Sequence, residues 1–449
     1  MTIPMDPGAA ALLDALHRAG YAAYAVGGCV RDSLLGLVPH DWDLCTSALP
    51  QQVIGLFGAQ QCIPTGLQHG TVTVKQGGAL YEITTFRTEG SYSDGRHPDE
   101  VHFVPDVRED LARRDFTINA MAYNEKEGLI DPFGGQDDLK NGILRAVGAP
   151  HQRFAEDALR ILRLYRFAAR FGFTLDPATA QAAEELCAHL DCVSAERIEE
   201  ELAKLLSAPA PAAYLDEKIL GVILPELAPE ALTAAKPVVD ACPAGSENLP
   251  VRLAALLLSL GEDGTRRALK RLRCSNACIE DTAVLVREYR AGAQSRRELS
   301  PRTARDSSPA PSSKARRGPT PRSFAGETPD DSGRKATVTS DLTIYTRHLL
   351  GCYNLKTVQR IAVLGTAMQP ERAADFERLS QLAAQMDADG VCCRVSQLAV
   401  NGRDLMAAGI PAGPGLRRVL EALLDSVIRE ECPNERDALL ARAQQISAS

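Results

Sequence analysis

Two aspartates, Asp41 and Asp43, stand one residue apart at the end of the stretch VGGCVRDSLLGLVPHDWDL, residues 26–44. In extended chain, residues two apart project to the same side, so both carboxylates can lean over one spot. Paired carboxylates suit a hard divalent cation with oxygen ligands, and Mg²⁺, the usual choice, generally arrives with phosphate. The pair therefore reads as a nucleotide–metal site in which one or two Mg²⁺ ions activate a hydroxyl and stabilise leaving pyrophosphate. Gly27 and Gly28 precede it and let backbone approach phosphate without a Cβ in the way. Arg31 can reach a phosphate oxygen, and Asp32 can orient Arg31. Glu82 and Asp110 are both open as a third carboxylate.

A second dense cluster is REDLARRDFTINAMAYN, residues 108–124. Arg113 and Arg114 are forks that match phosphate or ribose oxygens, Asp115 follows directly, and Asn119 adds a neutral hydrogen-bonding group. A third is EDALRILR, which places Glu156, Asp157, Arg160 and Arg163 at helical spacing on a helix expected to begin near Phe154. Asp157 and Arg160 are three apart and would share a face, presenting an acceptor beside a donor fork. Such a pair can meet the polar edge of cytosine or adenine and fits guanine or uracil poorly. It is equally readable as an intrahelical ion pair worth about 0.2–0.5 kcal/mol.

The elements that must position these groups follow from patterning. A helix is expected over residues 10–19, and a strand over 24–26. The strand bearing the aspartates comes next, then strands over 70–76, 80–86 and 101–105. The polar, glycine-punctuated stretch 87–100, with Arg87, Asp94 and Arg96, reads as a loop beside the site. From Phe154 onward the spacing is helical. Residues 291–337 carry ten Lys/Arg against five Asp/Glu, many Ser and Pro and one aromatic, and read as a basic disordered linker, a local charge of +5. The tail, 338–449, is helical again.

At 449 residues the chain should hold more than one domain. A net charge of −8 excludes a uniformly basic coat but leaves room for a local cleft that binds nucleic acid. Twelve cysteines without zinc-site spacing fit thiols in a reducing compartment. No apolar run reaches membrane-spanning length, which points to a soluble, cytoplasmic protein without a membrane partner.

Together the three clusters resemble the bacterial class II tRNA nucleotidyltransferases that build or repair the 3′-terminal CCA, a class shared with bacterial poly(A) polymerases. GGCVRDSLLGLVPHDWDLCTSALP is similar to that family's catalytic motif, RRDFTINAMAYN to its ribose-contacting motif and RFAEDALRILRLYRFAARFGF to its base-selecting motif. SAERIEEEL, 194–202, resembles the helix that steadies base selection.

The resemblance implies an α+β fold: a nucleotidyltransferase head with a small mixed sheet (1–150), then a helical neck (151–210), body (211–290) and tail (338–449). It implies that Asp41 and Asp43 bind the metals, that Arg114 contacts ribose or triphosphate, and that Asp157 and Arg160 pair with CTP twice and then ATP. The partner implied is tRNA, gripped at its acceptor and T arms, and not DNA; monomer and homodimer both stay open. Where some relatives carry the His-Asp step of a phosphohydrolase, this chain has Leu258 and Ser259, so no metal hydrolase is expected. Poly(A) synthesis, addition of only CC or only A, and a tRNA-binding protein with an inactive head are the rival readings.

Overall fold

A computed structural model describes residues 2–89, 101–299 and 334–448 of the chain. It divides into two compact units. The first is Met1–Lys236 with Ala244–Ser246 and Arg271–Cys274, and the second is Pro237–Pro243, Glu247–Lys270 and Ser275–Ser449.

The first unit begins with α1 (Pro7–Arg18), whose start is capped by the Asp6 carboxylate accepting from the Gly8 and Ala9 amides. Strand β1 (Ala23–Val26) is buried on both faces and leads through Gly27 into α2 (Gly28–Leu34). Then come β2 (Leu44–Thr46), α3 (Pro50–Phe57), β3 (Cys62–Gly66), β4 (Thr71–Gln76) and β5 (Ala79–Thr85). A short ribbon, β6 (Arg87–Glu89) with β7 (Val101–Phe103), pairs antiparallel outside the main sheet. After α4 (Val107–Ala112) and a 3₁₀ turn at Thr117–Asn119, strands β8 (Ala122–Asn124) and β9 (Gly128–Ile130) complete the sheet. Its order is β3-β4-β5-β2-β1-β8-β9, mixed because β2 and β5 run parallel while the other neighbours are antiparallel.

Period-two alternation is clear in β5, where Tyr81, Ile83 and Thr85 are buried and Leu80 and Glu82 face outward. Three expectations shift. The aspartates lie just before β2, not within it. The strand at 101–103 joins the ribbon rather than the main sheet. Strand β3, holding Pro64, is an edge strand that patterning missed; proline lacks the N–H a central ladder needs.

Beyond α5 (Gly135–Asn141), the helical part of this unit holds α6 (Pro150–Glu156), α7 (Leu159–Phe171), α8 (Pro177–Leu186), α9 (Ala195–Leu206) and α10 (Glu217–Ile223). The expected single helix from Phe154 is two: Asp157 adopts φ −146°, ψ 103°, which ends α6 and turns the chain into α7. The glycine at the start of α5 has a packing reason, since a Cβ on Gly135 would fall 2.1 Å from the Thr117 carbonyl oxygen.

Helix α11 (Pro229–Ala241) crosses from one unit to the other in sequence. Then follow α12 (Leu249–Leu257), α13 (Gly261–Arg271), α14 (Asn276–Leu299), α15 (Arg334–Cys352), α16 (Leu355–Met368) and α17 (Ala373–Ala388). Helices α18 (Gly402–Ala407), α19 (Pro414–Ile428) and α20 (Arg436–Ala448) enclose a core of Leu405, Val419, Leu423 and Leu439. Asn401 caps α18, its side-chain oxygen accepting from the Arg403 and Asp404 amides while the Asp404 carboxylate accepts from the Asn401 backbone N–H. Helical backbone reaches residue 299 and resumes at 334, so both ends of the expected linker are helix. Extending a helix that is already nucleated adds one hydrogen bond per residue fixed, so composition alone does not mark where it stops.

Candidate active site

Asp43 is anchored by backbone pairing. The Val26 amide donates to its carbonyl oxygen at 3.0 Å, extending the β1–β2 ladder by one step. Continuing the parallel register of Leu44 with Ile83 places Glu82 opposite Asp43 on the same outward face. Asp41 and Asp43 are both exposed. Surrounding protein nonetheless desolvates the Asp43 carboxylate and raises its pKa; Arg114 acts to lower it, while Glu82 and Asp41 push it further up. Asp41 and Asp43 are two exposed carboxylates, oxygen donors of the kind Mg²⁺ takes, and Glu82 is a neighbouring acid rather than part of a three-acid cluster. Among the described residues, no group of three or more His, Cys, Asp or Glu side chains could hold a metal ion together.

Arg114 carries the positive charge that acts on Asp43. Its Nη2 is 3.4 Å from Asp110 Oδ2, and its Nε is buried without a hydrogen-bond partner among the described residues. A Cβ on Gly27, which sits at φ +78°, would come within 2.8 Å of Arg114 Nη1. Glycine is required here for the turn and for the guanidinium's approach. Gly28 is under no such pressure, because its Cβ would meet only Arg31 Nη2 at 3.7 Å.

Asp110 is fully buried. It accepts from Arg113 Nε at 3.0 Å, from Arg114 and from the Arg87 amide at 3.3 Å. Burial would raise its pKa, but the two arginines and that amide hold it below the usual carboxylate range. Of the two open third carboxylates, Glu82 faces the aspartates, whereas Asp110 is enclosed by arginines. Of the expected loop residues, Arg87 donates to the His69 carbonyl, while Asp94 and Arg96 lie outside the described residues.

Several groups expected to face nucleotide are instead joined in a buried network. Arg31 is 3% exposed; its Nε donates to Asp32 at 2.7 Å and its Nη1 to Asn119 Oδ1, with the guanidinium against Phe167 and Phe171. It does not turn toward solvent for a phosphate. Asn119 Nδ2 donates to Asp115 Oδ1 at 3.0 Å, and Arg163 donates twice to Asp115 Oδ2, at 2.9 and 2.7 Å. Burial works against the Asp115 charge, but Arg163 and Asn119 outweigh it and hold the carboxyl far below its ordinary pKa. From α9, Glu201 ion-pairs with Arg166 at 2.5 Å and approaches Arg163 at 3.7 Å. Burial pushes Arg166 down to about 10, with Glu201 opposing. Arg170 completes the set with Asp32 at 3.1 Å.

The break at Asp157 overturns the expected shared helical face. Asp157 accepts from the Leu159 amide at 3.1 Å and ion-pairs with Arg197 of α9 at 2.8 Å. Arg160, 9% exposed, donates to Glu156 at 2.8 Å, to the Arg153 carbonyl and to the Arg113 carbonyl at 3.1 Å. Asp157 and Arg160 thus each hold other partners. Arg170, Arg197 and Glu201 were missed from sequence; the lone arginine among four glutamates in α9 was the available signal.

The model for the poly A polymerase head domain matches residues 23–145, that for the "Probable RNA and SrmB- binding site of polymerase A" residues 172–230, and that for tRNA nucleotidyltransferase domain 2 residues 335–443. A CCA-adding enzyme of Lactiplantibacillus plantarum is 34% identical over 445 residues, covering 98% of this chain and 96% of that protein. This chain belongs to the CCA-adding enzyme family. The CCA-adding enzyme of Geobacillus kaustophilus is 32% identical, over 95% of this chain and 93% of that one. The crystal structure of the Bacillus stearothermophilus CCA-adding enzyme in complex with CTP is similar with a TM-score of 0.73 at 28% identity, covering 99% of this chain and 98% of that chain.

Family membership covers the head with its mixed sheet and the helical remainder alike. In this CCA-adding enzyme family member the Asp43 carboxylate feels the charges of both Asp41 and Arg114. Arg31, Asn119 and Asp115 form a separate buried network that ends on Arg163 of α7. No helix among the described residues is long and apolar enough to cross a membrane.

Proposed function

We propose that this chain adds the CCA terminus to the 3′ end of tRNA from CTP and ATP, without a nucleic-acid template and with release of pyrophosphate. The observation that carries the reading is Asp43, fixed by its backbone to β1 and exposed near Asp41, with the charge of Arg114, which packs against Gly27, acting on it. Asp41 and Asp43 would hold one or two Mg²⁺ ions, which when bound would lower the pKa of the attacking hydroxyl and screen the triphosphate. Arg114, with a buried Nε awaiting a partner, supplies donors to the triphosphate or ribose. Arg113 sits beside it, oriented by Asp110. Gly27 keeps the turn open to both.

Base selection falls to Asp157 and Arg160, with Arg163 bracing α7 against Asp115. The incoming base would exchange with Glu156 at the Arg160 fork and share the Asp157 carboxylate with Arg197. Because Arg160 also binds the Arg113 carbonyl, a change at the base-reading fork reaches the backbone of the Arg-Arg-Asp step. Head 1–150, neck 151–210, body 211–290, linker 291–337 and tail 338–449 remain our division of labour, with body and tail gripping the acceptor and T arms. The cytoplasm, where tRNA and both nucleotides occur together, is the proposed location.

Incubating purified protein with tRNA lacking its last three nucleotides, supplying CTP and ATP separately and together, tests this. Two additions with CTP alone and three with both support it. Long products from ATP alone would indicate poly(A) synthesis and arrest after two with both nucleotides a CC-only enzyme; in a parallel reaction on tRNA ending in CC, one A added there and nothing on the shorter tRNA would indicate an A-only enzyme, and no extension of either an inactive head.

A further inference from the structure

We infer that Asp110 is a positioning residue that acts through Arg114, and not a carboxylate of the metal site; this rests on the nucleotidyl-transfer reading above. Asp110 is completely buried, and both of its oxygens are committed to the protein. Oδ1 accepts from Arg113 Nε and from the Arg87 amide, and Oδ2 faces Arg114 Nη2. It lies one turn before the Arg-Arg-Asp step, on α4, and stands between two adjacent arginines, offsetting part of their mutual repulsion. Arg114 is confined on the opposite side by the turn at Gly27, which leaves room for Nη1 only because no Cβ is present. Between these two restraints the guanidinium is held beside the Gly27 turn that leads from β1 into α2. A flexible arginine must give up rotamer freedom to meet a triphosphate, and a buried acid that fixes it beforehand removes part of that cost. The adjoining strand β6 is tied to the same carboxylate through the Arg87 amide, so one buried charge sets the placement of both.

The test is steady-state addition of C to tRNA lacking its last three nucleotides, using the full chain as wild type, Asp110→Asn, Arg114→Lys and the double variant. Wild-type addition is the control for the underlying activity, and its absence would overturn that reading itself. If Asp110 positions Arg114, Asp110→Asn raises KM for CTP about tenfold, because a misplaced fork binds triphosphate more weakly in ground and transition states alike. The Mg²⁺ concentration for half-maximal rate stays where it is in wild type. The double variant falls no more than about twofold below Arg114→Lys, since the two substitutions remove one interaction. Partial misfolding lowers kcat by shrinking the active fraction but leaves KM untouched, so KM separates positioning from mere loss of fold. Should Asp110→Asn not fold, Asp110→Glu, which keeps the charge but displaces it by one methylene, is measured for the same rise. An unchanged KM, multiplicative losses in the double variant, or a shifted Mg²⁺ requirement would each overturn the assignment.

Discussion

Asp43 and Arg160 carry different burdens, and their variants should separate the two. Asp43→Ala removes the carboxylate that β1 holds in place, and we expect loss of at least about a thousandfold in kcat for C and A addition equally, read by single-turnover extension. The chain should still fold, because the side chain is exposed and only its backbone is paired. Arg160→Ala should instead blur the choice between CTP and ATP more than it slows transfer. Misincorporation on tRNA ending in CC, measured with each nucleotide alone, decides it. A uniform loss of rate with unchanged preference would assign Arg160 to holding Glu156 and the Arg113 carbonyl instead.

At the scale of elements, Asp115 joins the 3₁₀ turn of the head to α7 of the neck. Breaking a buried charge pair by removing one member costs about 3–5 kcal/mol, so Asp115→Asn should lower the urea midpoint of the first unit markedly at neutral pH. The sign with pH follows from the depressed pKa. The unfolded chain takes up this proton near the ordinary value of about 4, while the folded chain does so only at lower pH. The stability from Asp115 is therefore fully present above about pH 4 and is lost as pH falls through the window beneath it. Asp115→Asn, lacking that titration, should show a shallower decline than wild type between about pH 4 and pH 2, measured by urea titration at each pH. A parallel decline in both proteins would mean that the Arg163 pair contributes nothing.

Across the whole molecule, the net charge of −8 means that any grip on RNA is local. Binding through a handful of phosphates falls steeply with salt. We expect log KM for tRNA to rise linearly with log salt while KM for CTP changes far less. The basic stretch expected as a linker lies mostly outside the described residues, at 300–333. If it is a plain tether, deleting it leaves the salt slope unchanged; a shallower slope would count the phosphate contacts it makes.

The sheet strands with alternating residues, the glycine turn, the paired aspartates and the arginine clusters were legible because each depends on neighbours in the chain. Strand β5 declares itself by period two, and a carboxylate pair two residues apart leans to one side wherever the chain is extended. What the linear order could not express was which partner each charge would find. Asp110 and Glu82 were indistinguishable as third acids until folding enclosed one among arginines and left the other on the outward face. Arg31 could have reached for phosphate, yet two phenylalanines from residues well over a hundred positions away and a distant asparagine took it inward. Asp157 and Arg160 fit one helix by spacing, but a contact with Arg197 from the next helix pair accompanies a break between them. Local geometry thus chose the chemistry available, and long-range burial, which penalises any charge without a counter-charge, chose which groups remained free to perform it.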